Sequence, residues 1–295
     1  EMCIRDRVCI CVPIIVFQFC KGKEFFSKEY WGYALRIGIP IVPHYLSGII
    51  LNQGDRIMID KMVGKTEVAL YGLAYSIGML VQLFISGMNS ALTPWMYSKI
   101  KKGDIRSMRK VLQLLSIVVV GIAVALMLIS PELVLIFGSP KYREAVYVIP
   151  PVAASVFFIF IYNILSMPQF YYEKTQFLMA ASMAAAGANV VLNFIFIRLF
   201  GYIAAGYTTL ACYMLYSVGH YIVSKRILVN EGIQENLMSP GFLVACSVFL
   251  IGASIICNLI FPYRILRYAI LLASAGLVFW KKELLLKTMA DIRKK

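Results

Sequence analysis

The sequence predicts an all-α fold, a polytopic membrane helix bundle with about eight transmembrane helices and one partial helix. Hydrophobic residues make up 60% of the 295 residues, and charged residues only 15%. Soluble domains are closer to half apolar and a quarter charged. The mean hydropathy is +0.77. The charged residues also divide the chain into uncharged runs longer than the ~20 residues that a helix needs to cross a bilayer.

Eight runs are predicted to span the membrane. Six of them are uncharged and longer than 20 residues, and they cover residues 68–98, 111–131, 145–172, 175–197, 199–224 and 236–263. The first span is predicted from residue 37 to about residue 61, and a shorter last span covers 268–280. A ninth, partial run at 8–20 is expected to be the end of a span that begins upstream.

The parts outside the spans have predicted roles of their own. The opening residues 1–7, EMCIRDR, back-translate to DNA that resembles the transposon end used to tag DNA for sequencing, so we interpret them as a cloning or assembly scar. Residues 21–36 are expected to form an interfacial cytoplasmic segment or a helical extension of the first span. The remaining divisions are a bundle at 37–224, a cytoplasmic loop at 225–235, two final helices at 236–286 and a basic cytoplasmic tail at 287–295.

The net charge of +14 raises the question of nucleic acid binding, but the positions of the basic residues give another explanation. If the segment before the first span is cytoplasmic, alternation of the spans puts nineteen Lys and Arg residues on the cytoplasmic side and seven on the other. This asymmetry follows the positive-inside rule, in which basic residues face the cytoplasm and its anionic lipids. We therefore predict membrane lipids, and no nucleic acid, as partners of these charges.

The sequence contains no catalytic or metal-binding constellation. The seven cysteines form no CxxC pair, and His44 and His220 have no partner at zinc-ligand spacing. The long runs hold no paired carboxylates, no Ser/His/Asp set and no phosphate loop of the GxxxxGK type. We therefore predict no enzyme, no cofactor and no metal site, and favour a transporter or flippase.

The first span carries titratable residues at different depths. A helix rises ~1.5 Å per residue, so His44 lies roughly 12 Å, and Asp55 roughly 28 Å, along the helix from Arg36 at the predicted cytoplasmic interface. His44 is therefore expected near the midplane. Asp55 and Arg56 are expected in the outer third, and Asp60 at the outer interface.

One face of this span is predicted to be wet. At ~100° per residue, His44, Asn52 and Asp55 share a face, together with Gly48 and Ile59. Polar side chains at such depth usually face the bundle interior or an aqueous cavity.

Two interpretations of these side chains stay open. In the first, Asp55 and Arg56 form an ion pair near the helix end, and His44 is a neutral, hydrogen-bonded residue. In the second, Arg56 attracts an anionic headgroup, because its planar fork suits phosphate, while Asp55 or His44 exchanges a coupling cation, either a proton or a sodium ion. Asp60 lies four residues from Arg56, on an adjoining face.

Five amides in other spans are further candidates for the same cavity. They are Gln82, Asn89, Asn163, Asn189 and Asn193. The alternative role for each is a hydrogen bond between helices, which is common in membrane bundles.

Four stretches together resemble the C-terminal part of a bacterial polysaccharide or O-antigen flippase, which moves lipid-linked oligosaccharide, of the multidrug/oligosaccharidyl-lipid/polysaccharide exporter superfamily. They are NQGDRIMIDKMVGKTEVALYGLAYSIG (52–78), ALTPWMY (91–97), LIFGSPKYREA (135–145) and NVVLNFIFIRLFGYIAAGYTTL (189–210). Their order and spacing carry the resemblance, which covers most of residues 36–224.

The resemblance implies a fold of fourteen helices in two six-helix lobes plus two terminal helices. The chain would then supply helices seven to fourteen, with 37–224 as the C-terminal lobe and 8–20 as the remnant of helix six. The implied activity is translocation of a polyprenyl-diphosphate-linked oligosaccharide from the inner to the outer leaflet of the bacterial cytoplasmic membrane, by alternating access. A missing N-terminal lobe would be required, so the fragment alone is expected to be inactive.

Two other functions are considered. A multidrug/cation antiporter of the same superfamily is the main alternative. Such an antiporter would usually need an acidic residue deep within a span, and the long uncharged runs supply none. A membrane-embedded transferase acting on lipid-linked sugars would require an acid/base cluster or a metal-binding carboxylate motif. The sequence leaves the sugar, the coupling ion and the oligomeric state undetermined.

Overall fold

The computed structural model describes the backbone of residues 2–22 and 26–280, and the side chains of residues 8–22, 26–274 and 276. Over these ranges the chain forms α-helices, one 3₁₀ helix and no strand. The α-helices are α1 (Met2–Gly22), α2 (Lys28–Met62), α3 (Lys65–Gly78), α4 (Leu80–Lys101), α5 (Ile105–Phe137), α6 (Ile149–Tyr171), α7 (Thr175–Phe200), α8 (Ala204–Asn230), α9 (Pro240–Ile260) and α10 (Arg264–Trp280). The 3₁₀ helix, Pro140–Val148, directly precedes α6. The predicted all-α membrane bundle is confirmed.

Six helical segments within the described ranges are long and apolar enough to cross a membrane. They are Lys28–Met62, Lys65–Lys101, Ile105–Phe137, Pro140–Tyr171, Thr175–Phe200 and Pro240–Ile260. The two other predicted spans correspond to α8 and α10. Helix α8 has 27 residues but is less apolar, because it carries buried polar side chains such as Thr209 and His220. Helix α10 has 17 described residues.

Helix boundaries differ from the uncharged runs in two places. The run at 68–98 is divided at Met79, where α3 ends and α4 begins. Pro150 and Pro151, expected inside a span, lie in the first turn of α6, where a missing N–H breaks no helical hydrogen bond. By contrast, Pro40 and Pro43 lie well inside α2, which is continuous from Lys28. Residues 28–36 therefore belong to the same helix as the first span.

The centre of the bundle is α6, in which eighteen of 23 residues are buried. Helix α8 packs along it, α4 and α5 flank it, and α2 packs against α7, which in turn contacts α8. Helices α9 and α10 pack on α5, and α9 also contacts α6. Every described side chain of α1, from 8 to 22, is exposed. The polar residues of α2 therefore meet those of α7 and α8 inside the bundle.

Two glycines occupy positions that other residues would not fit, one because of space and one because of backbone conformation. A Cβ on Gly78 would lie 2.7 Å from Cγ1 of Val152, so the end of α3 approaches α6 more closely than any side chain would permit. Gly201 ends α7 in the left-handed region, at φ +75°. Gly78 thus lets the end of α3 pack closely on α6, and Gly201 lets the chain turn at the end of α7.

Contacts between helix ends show which ends lie together. The Tyr33 hydroxyl donates to Glu173 at 2.6 Å, and Arg106 and Arg109 bond to Glu235 and to the Asn236 carbonyl. The starts of α2, α5 and α7 and the connection between α8 and α9 therefore share one end. We call it the basic end, because it carries Lys101, Lys102, Arg106, Lys225 and Arg226.

Candidate functional site

The α2 face predicted to be wet is directed into the bundle. Ser47, Leu51, Asp55 and Ile59, spaced four residues apart, are its buried positions in this half of the helix. A four-residue spacing follows one side of a helix, here the side against α7. Asp55 is the charged residue in this row, and its exposed fraction is 0%.

Three neutral donors surround the Asp55 carboxylate, and each comes from a different helix. The Tyr71 hydroxyl on α3 donates to Oδ2 at 2.5 Å, and the Thr209 hydroxyl on α8 donates to the same oxygen at 2.6 Å. The Asn193 amide on α7 donates to Oδ1 at 2.5 Å. We call these four residues the Asp55 site. The site joins α2, α3, α7 and α8.

A second layer of polar groups orients Asn193. Its amide nitrogen also donates to Oδ1 of Asn189 at 3.2 Å, and its carbonyl oxygen accepts from the Thr208 hydroxyl. Asn189 and Asn193 are fully buried, and Nδ2 of Asn189 has no hydrogen-bond partner among the described residues. Asn189 therefore adds a second amide beside the Asp55 site.

No basic side chain in the described part of the chain pairs with Asp55. The ion pairs found within the described ranges do not include it, so the Asp55–Arg56 pair considered from the sequence is absent. Adjacent residues on a helix project about 100° apart, so Arg56 lies on a different side of α2 and is half-buried. Its guanidinium lies 5.3 Å from the ring centroid of Tyr75 and donates to Gln53 at 3.3 Å.

Asn52 links the Asp55 site to a polar cavity. Its side-chain oxygen accepts from the Tyr75 hydroxyl at 2.8 Å and lies 3.5 Å from the Tyr213 hydroxyl. The Tyr75 ring is 5.8 Å from the ring of Tyr71, which bonds to Asp55. Asn52 therefore stands between the cavity and the carboxylate.

The cavity has a volume of about 190 Å³ and lies between α2, α6 and α8. We call it the His44 cavity, and its lining includes His44, Asn52, Tyr162, Asn163, Ser166 and Tyr216. Nδ1 of His44 is 3.0 Å from the Tyr216 hydroxyl. Space of this size, bordered by several polar groups, can hold a few water molecules.

A second histidine adjoins the cavity behind the tyrosines. Nδ1 of His220 is 2.7 Å from Nε2 of Gln169, and both residues are fully buried. The Tyr216 ring packs edge-on against His220, and Tyr162 stacks beside it. Nε2 of His220 and Oε1 of Gln169 lack partners within the described part of the chain.

Of the other predicted site residues, one lines the His44 cavity and three do not. Asn163 lines the cavity, whereas Gln82 and Asn89 lie on α4 and are absent from its lining. Asp60 is exposed, one turn beyond the Asp55 site on α2.

Sequence reasoning missed the hydroxyl and phenol groups of the site. They are Tyr71, Tyr75, Thr209, Tyr213 and Tyr216. That reasoning also did not propose His220 and Gln169 as site residues. A signal was present on α8, because Tyr213, Tyr216 and His220 are spaced three and four residues apart and so share one helical face. For α3 the spacing of Tyr71 and Tyr75 gave a similar signal.

The Asp55 site can hold a proton or a small cation. An unpaired carboxylate inside a membrane protein is costly unless a proton or a bound cation neutralises it. Oxygen ligands suit hard cations, and the site offers two carboxylate oxygens, two hydroxyls and, after rotation of an amide, the carbonyl oxygen of Asn193. Among the described residues, no group of three His, Cys, Asp or Glu side chains forms a transition-metal site.

The fold and the Asp55 site define a multi-pass membrane protein that is helical over the described ranges, and its interior holds a carboxylate with no basic partner among the described residues. Residues 8–101 match the family model described as polysaccharide biosynthesis protein. Over these residues the predicted resemblance to a family of polysaccharide biosynthesis is confirmed. The match begins directly after the seven residues interpreted as a scar.

Two curated proteins of Haemophilus influenzae are similar to this chain. One is named for the Lsg locus and is 28% identical over 173 residues, which cover 55% of this chain and 42% of that protein. The other is an uncharacterised membrane protein, 30% identical over 166 residues, which cover 52% of this chain and 39% of that protein. The chain thus spans about two fifths of the length of the relatives it matches. No solved structure matches it.

Proposed function

We propose that this protein moves a polyprenyl-diphosphate-linked oligosaccharide from the inner to the outer leaflet of the bacterial cytoplasmic membrane, and that a cation exchanged at Asp55 drives the step. The observation that carries the proposal is the fully buried Asp55 carboxylate, held by three neutral donors and paired with no basic residue among those described. The protein transports its lipid cargo without changing it chemically.

The class of cargo is supported by the comparisons. The matching family is described by polysaccharide biosynthesis, and one relative takes its name from the Lsg locus. The membrane character of the chain fits a cargo that is itself a membrane lipid. Transport by alternating access would involve an N-terminal lobe of the same protein in addition to the helices described above.

The Asp55 site is suited to coupling because its ligands come from four helices. When the carboxylate binds a proton or a sodium ion, its charge is neutralised and the donors from α3, α7 and α8 change partners. A group shared by several helices converts local binding into a change in helix packing. Loading and release of one cation would therefore favour different arrangements of the bundle.

The His44 cavity is the route by which the cation reaches Asp55. It brings His44 and Asn52 into one polar space, and Asn52 adjoins the Tyr75–Tyr71 pair next to the carboxylate. Water molecules in this polar space could carry either a proton or a hydrated sodium ion. The proton and sodium versions of the mechanism therefore share one route.

Arg56 serves as an auxiliary contact for the anionic headgroup of the cargo. Its guanidinium is half-buried beside Tyr75, and its Nε has no hydrogen-bond partner in the described chain. A planar guanidinium with a free donor suits a phosphate oxygen. Arg56 thus contributes to cargo binding from a different side of α2 than Asp55.

The test is complementation by the intact coding sequence in a bacterium that lacks its own polysaccharide flippase. Asp55→Asn keeps the size of the side chain but removes its exchangeable charge, so we expect loss of surface polysaccharide at an unchanged protein level. Asp60→Asn, an exposed carboxylate five residues along the same helix, is the matched control and should behave as the parent. A sodium series at constant pH and a pH series at constant sodium identify the cation.

Full complementation by Asp55→Asn would contradict the coupling role. Failure of the parent protein to restore polysaccharide would contradict the cargo.

A multidrug/cation antiporter is the second candidate, and the burial of Asp55 favours it more than the sequence did. The uncharged runs supplied no deep acidic group, but the structure places Asp55 in the protein interior. The two functions differ in cargo, so the same strains are tested for resistance to cationic drugs. Drug resistance without restored polysaccharide would establish the antiporter.

A further inference from the structure

An apolar groove runs along α8 on the side away from the His44 cavity. It has a volume of about 180 Å³, and α6, α8 and α9 line it with Phe157, Phe158, Ile161, Met214, Ser217, Val218, Tyr221, Pro240, Leu243, Val244 and Ser247. The groove shares no lining residue with the cavity. From Met214 to Tyr221 it is roughly 10 Å long, which suits a stretch of hydrocarbon chain.

The groove continues into a basic pocket at the basic end of the bundle. This pocket has a volume of about 440 Å³ and is lined by α8 alone, through Tyr221, Ile222, Lys225, Arg226, Val229 and Asn230. Tyr221 borders both spaces. One continuous surface therefore changes from apolar to cationic along a single helix.

The junction between the two spaces has an unused hydrogen-bond donor. The Tyr221 hydroxyl oxygen is buried and has no partner among the described residues. Arg109 on α5 is near enough for its positive charge to act on this hydroxyl, and Lys225 and Arg226 line the adjoining pocket. Glu235 is paired with Arg106, which leaves the exposed Glu231 as the neighbouring acidic residue of this connection.

We propose that the groove and the basic pocket together bind one anionic phospholipid of the surrounding bilayer, such as phosphatidylglycerol. One acyl chain lies in the groove between α8 and α9. The phosphate lies against Lys225 and Arg226 and accepts a hydrogen bond from Tyr221. The order of the two spaces matches a lipid in the leaflet at the basic end, where cationic side chains attract anionic headgroups.

The site suits a resident phospholipid better than the cargo. The groove is open to the lipid side of the bundle, where Val218 and Val244 are largely exposed. It is separated from the polar interior by the packed α6–α8 pair, so an oligosaccharide bound there would have no path to the Asp55 site. The bound lipid would instead hold α9 against α6 and α8.

The experiment is native mass spectrometry of the intact protein, titrated with phosphatidylglycerol or phosphatidylcholine. In Lys225→Gln/Arg226→Gln we expect retention of phosphatidylglycerol to fall roughly tenfold or more, because two cationic contacts are removed. Lys101→Gln/Lys102→Gln removes the same charge from exposed positions at the same end and should leave retention unchanged. Val244→Trp fills the groove while keeping both charges, and should also lower retention.

Three results would overturn the proposal. They are equal retention of the two lipids by the parent, equal losses in the two double variants, and stronger binding of a polyprenyl phosphate than of phosphatidylglycerol at the same residues. The last result would assign the groove to the cargo lipid. None of them depends on transport, so the test is independent of the function proposed above.

Discussion

The Tyr71 hydroxyl donates a hydrogen bond of 2.5 Å to the carboxylate of Asp55, which lies 16 residues earlier in the chain. The two residues belong to consecutive helices, α2 and α3, and both are fully buried. Thr209 donates to the same carboxylate oxygen from the distant helix α8. Tyr71 therefore joins the α2–α3 pair to the rest of the Asp55 site.

Tyr71→Phe should slow transport by about tenfold. The substitution keeps the ring but removes one donor to a charged group, and such a bond contributes about 1.5 kcal/mol. The measurement is the rate at which surface polysaccharide reappears after expression is induced. Tyr263→Phe, at an exposed position, is the control. A Tyr71→Phe protein with the parental rate and the parental cation dependence would remove Tyr71 from the mechanism.

Asn193→Leu should lower the free energy of unfolding by about 2 kcal/mol, because it leaves Asp55 and Thr208 each without one buried partner. Thermal unfolding of the purified protein in detergent measures the change. Asn258→Leu, which removes an amide bonded to Tyr207 at the bundle surface, is the control and should cost less.

The network predicts coupling between Asn193 and Asp55. The same Asn193→Leu change should be less destabilising when Asp55 is already Asn, since a neutral amide is cheaper to leave unpaired than a carboxylate. If Asn193→Leu lowered the free energy of unfolding equally in the parent and in Asp55→Asn, the two side chains would not be coupled.

Gly78→Ala should destabilise the protein by roughly 1–3 kcal/mol, because the new Cβ would overlap the side chain of Val152. Val152→Ala should restore part of this loss, because it removes the Cγ1 methyl at 2.7 Å, while the Val152 Cβ at 2.9 Å stays. Gly72→Ala, with no atom near its Cβ position, should be tolerated. Thermal unfolding again gives the comparison, and a harmless Gly78→Ala would contradict the close approach of α3 and α6.

Arg267→Gln should weaken the packing of α10 on α5. Arg267 is 3% exposed, and its guanidinium makes two bonds to Glu132, at 2.7 and 2.8 Å, and one to the Leu128 carbonyl at 2.6 Å. We expect the free energy of unfolding to fall by ~2 kcal/mol. This is less than for a fully buried ion pair, because part of Glu132 stays exposed.

Hydrogen exchange of α10 measures this loosening. Arg264→Gln is the matched control, because its own contact with Glu132 is longer, at 3.8 Å, and largely exposed. Equal exchange in both variants would contradict an anchoring role for Arg267.

Composition and periodicity predict the class of protein and the residues that share one face of the first span. Apolar composition and run length predict membrane helices because a backbone inside lipid must satisfy its own hydrogen bonds. Helical periodicity put His44, Asn52 and Asp55 on one side of the first span, and the structure directs that side into the bundle. These properties are local, since they depend only on residues within one helix.

The hydrogen-bond partners of Asp55 depend on how helices that are distant in the chain pack together. Asn193 and Thr209 lie 138 and 154 residues away in the chain, and no hydropathy pattern indicates that their helices turn these side chains toward α2. The sequence offered Arg56 as the nearest partner, yet the helical rotation between adjacent residues directs it to Tyr75. The rotation and register of packed helices depend on all their neighbours at once, which is why only the folded bundle shows a carboxylate without a basic partner among the described residues.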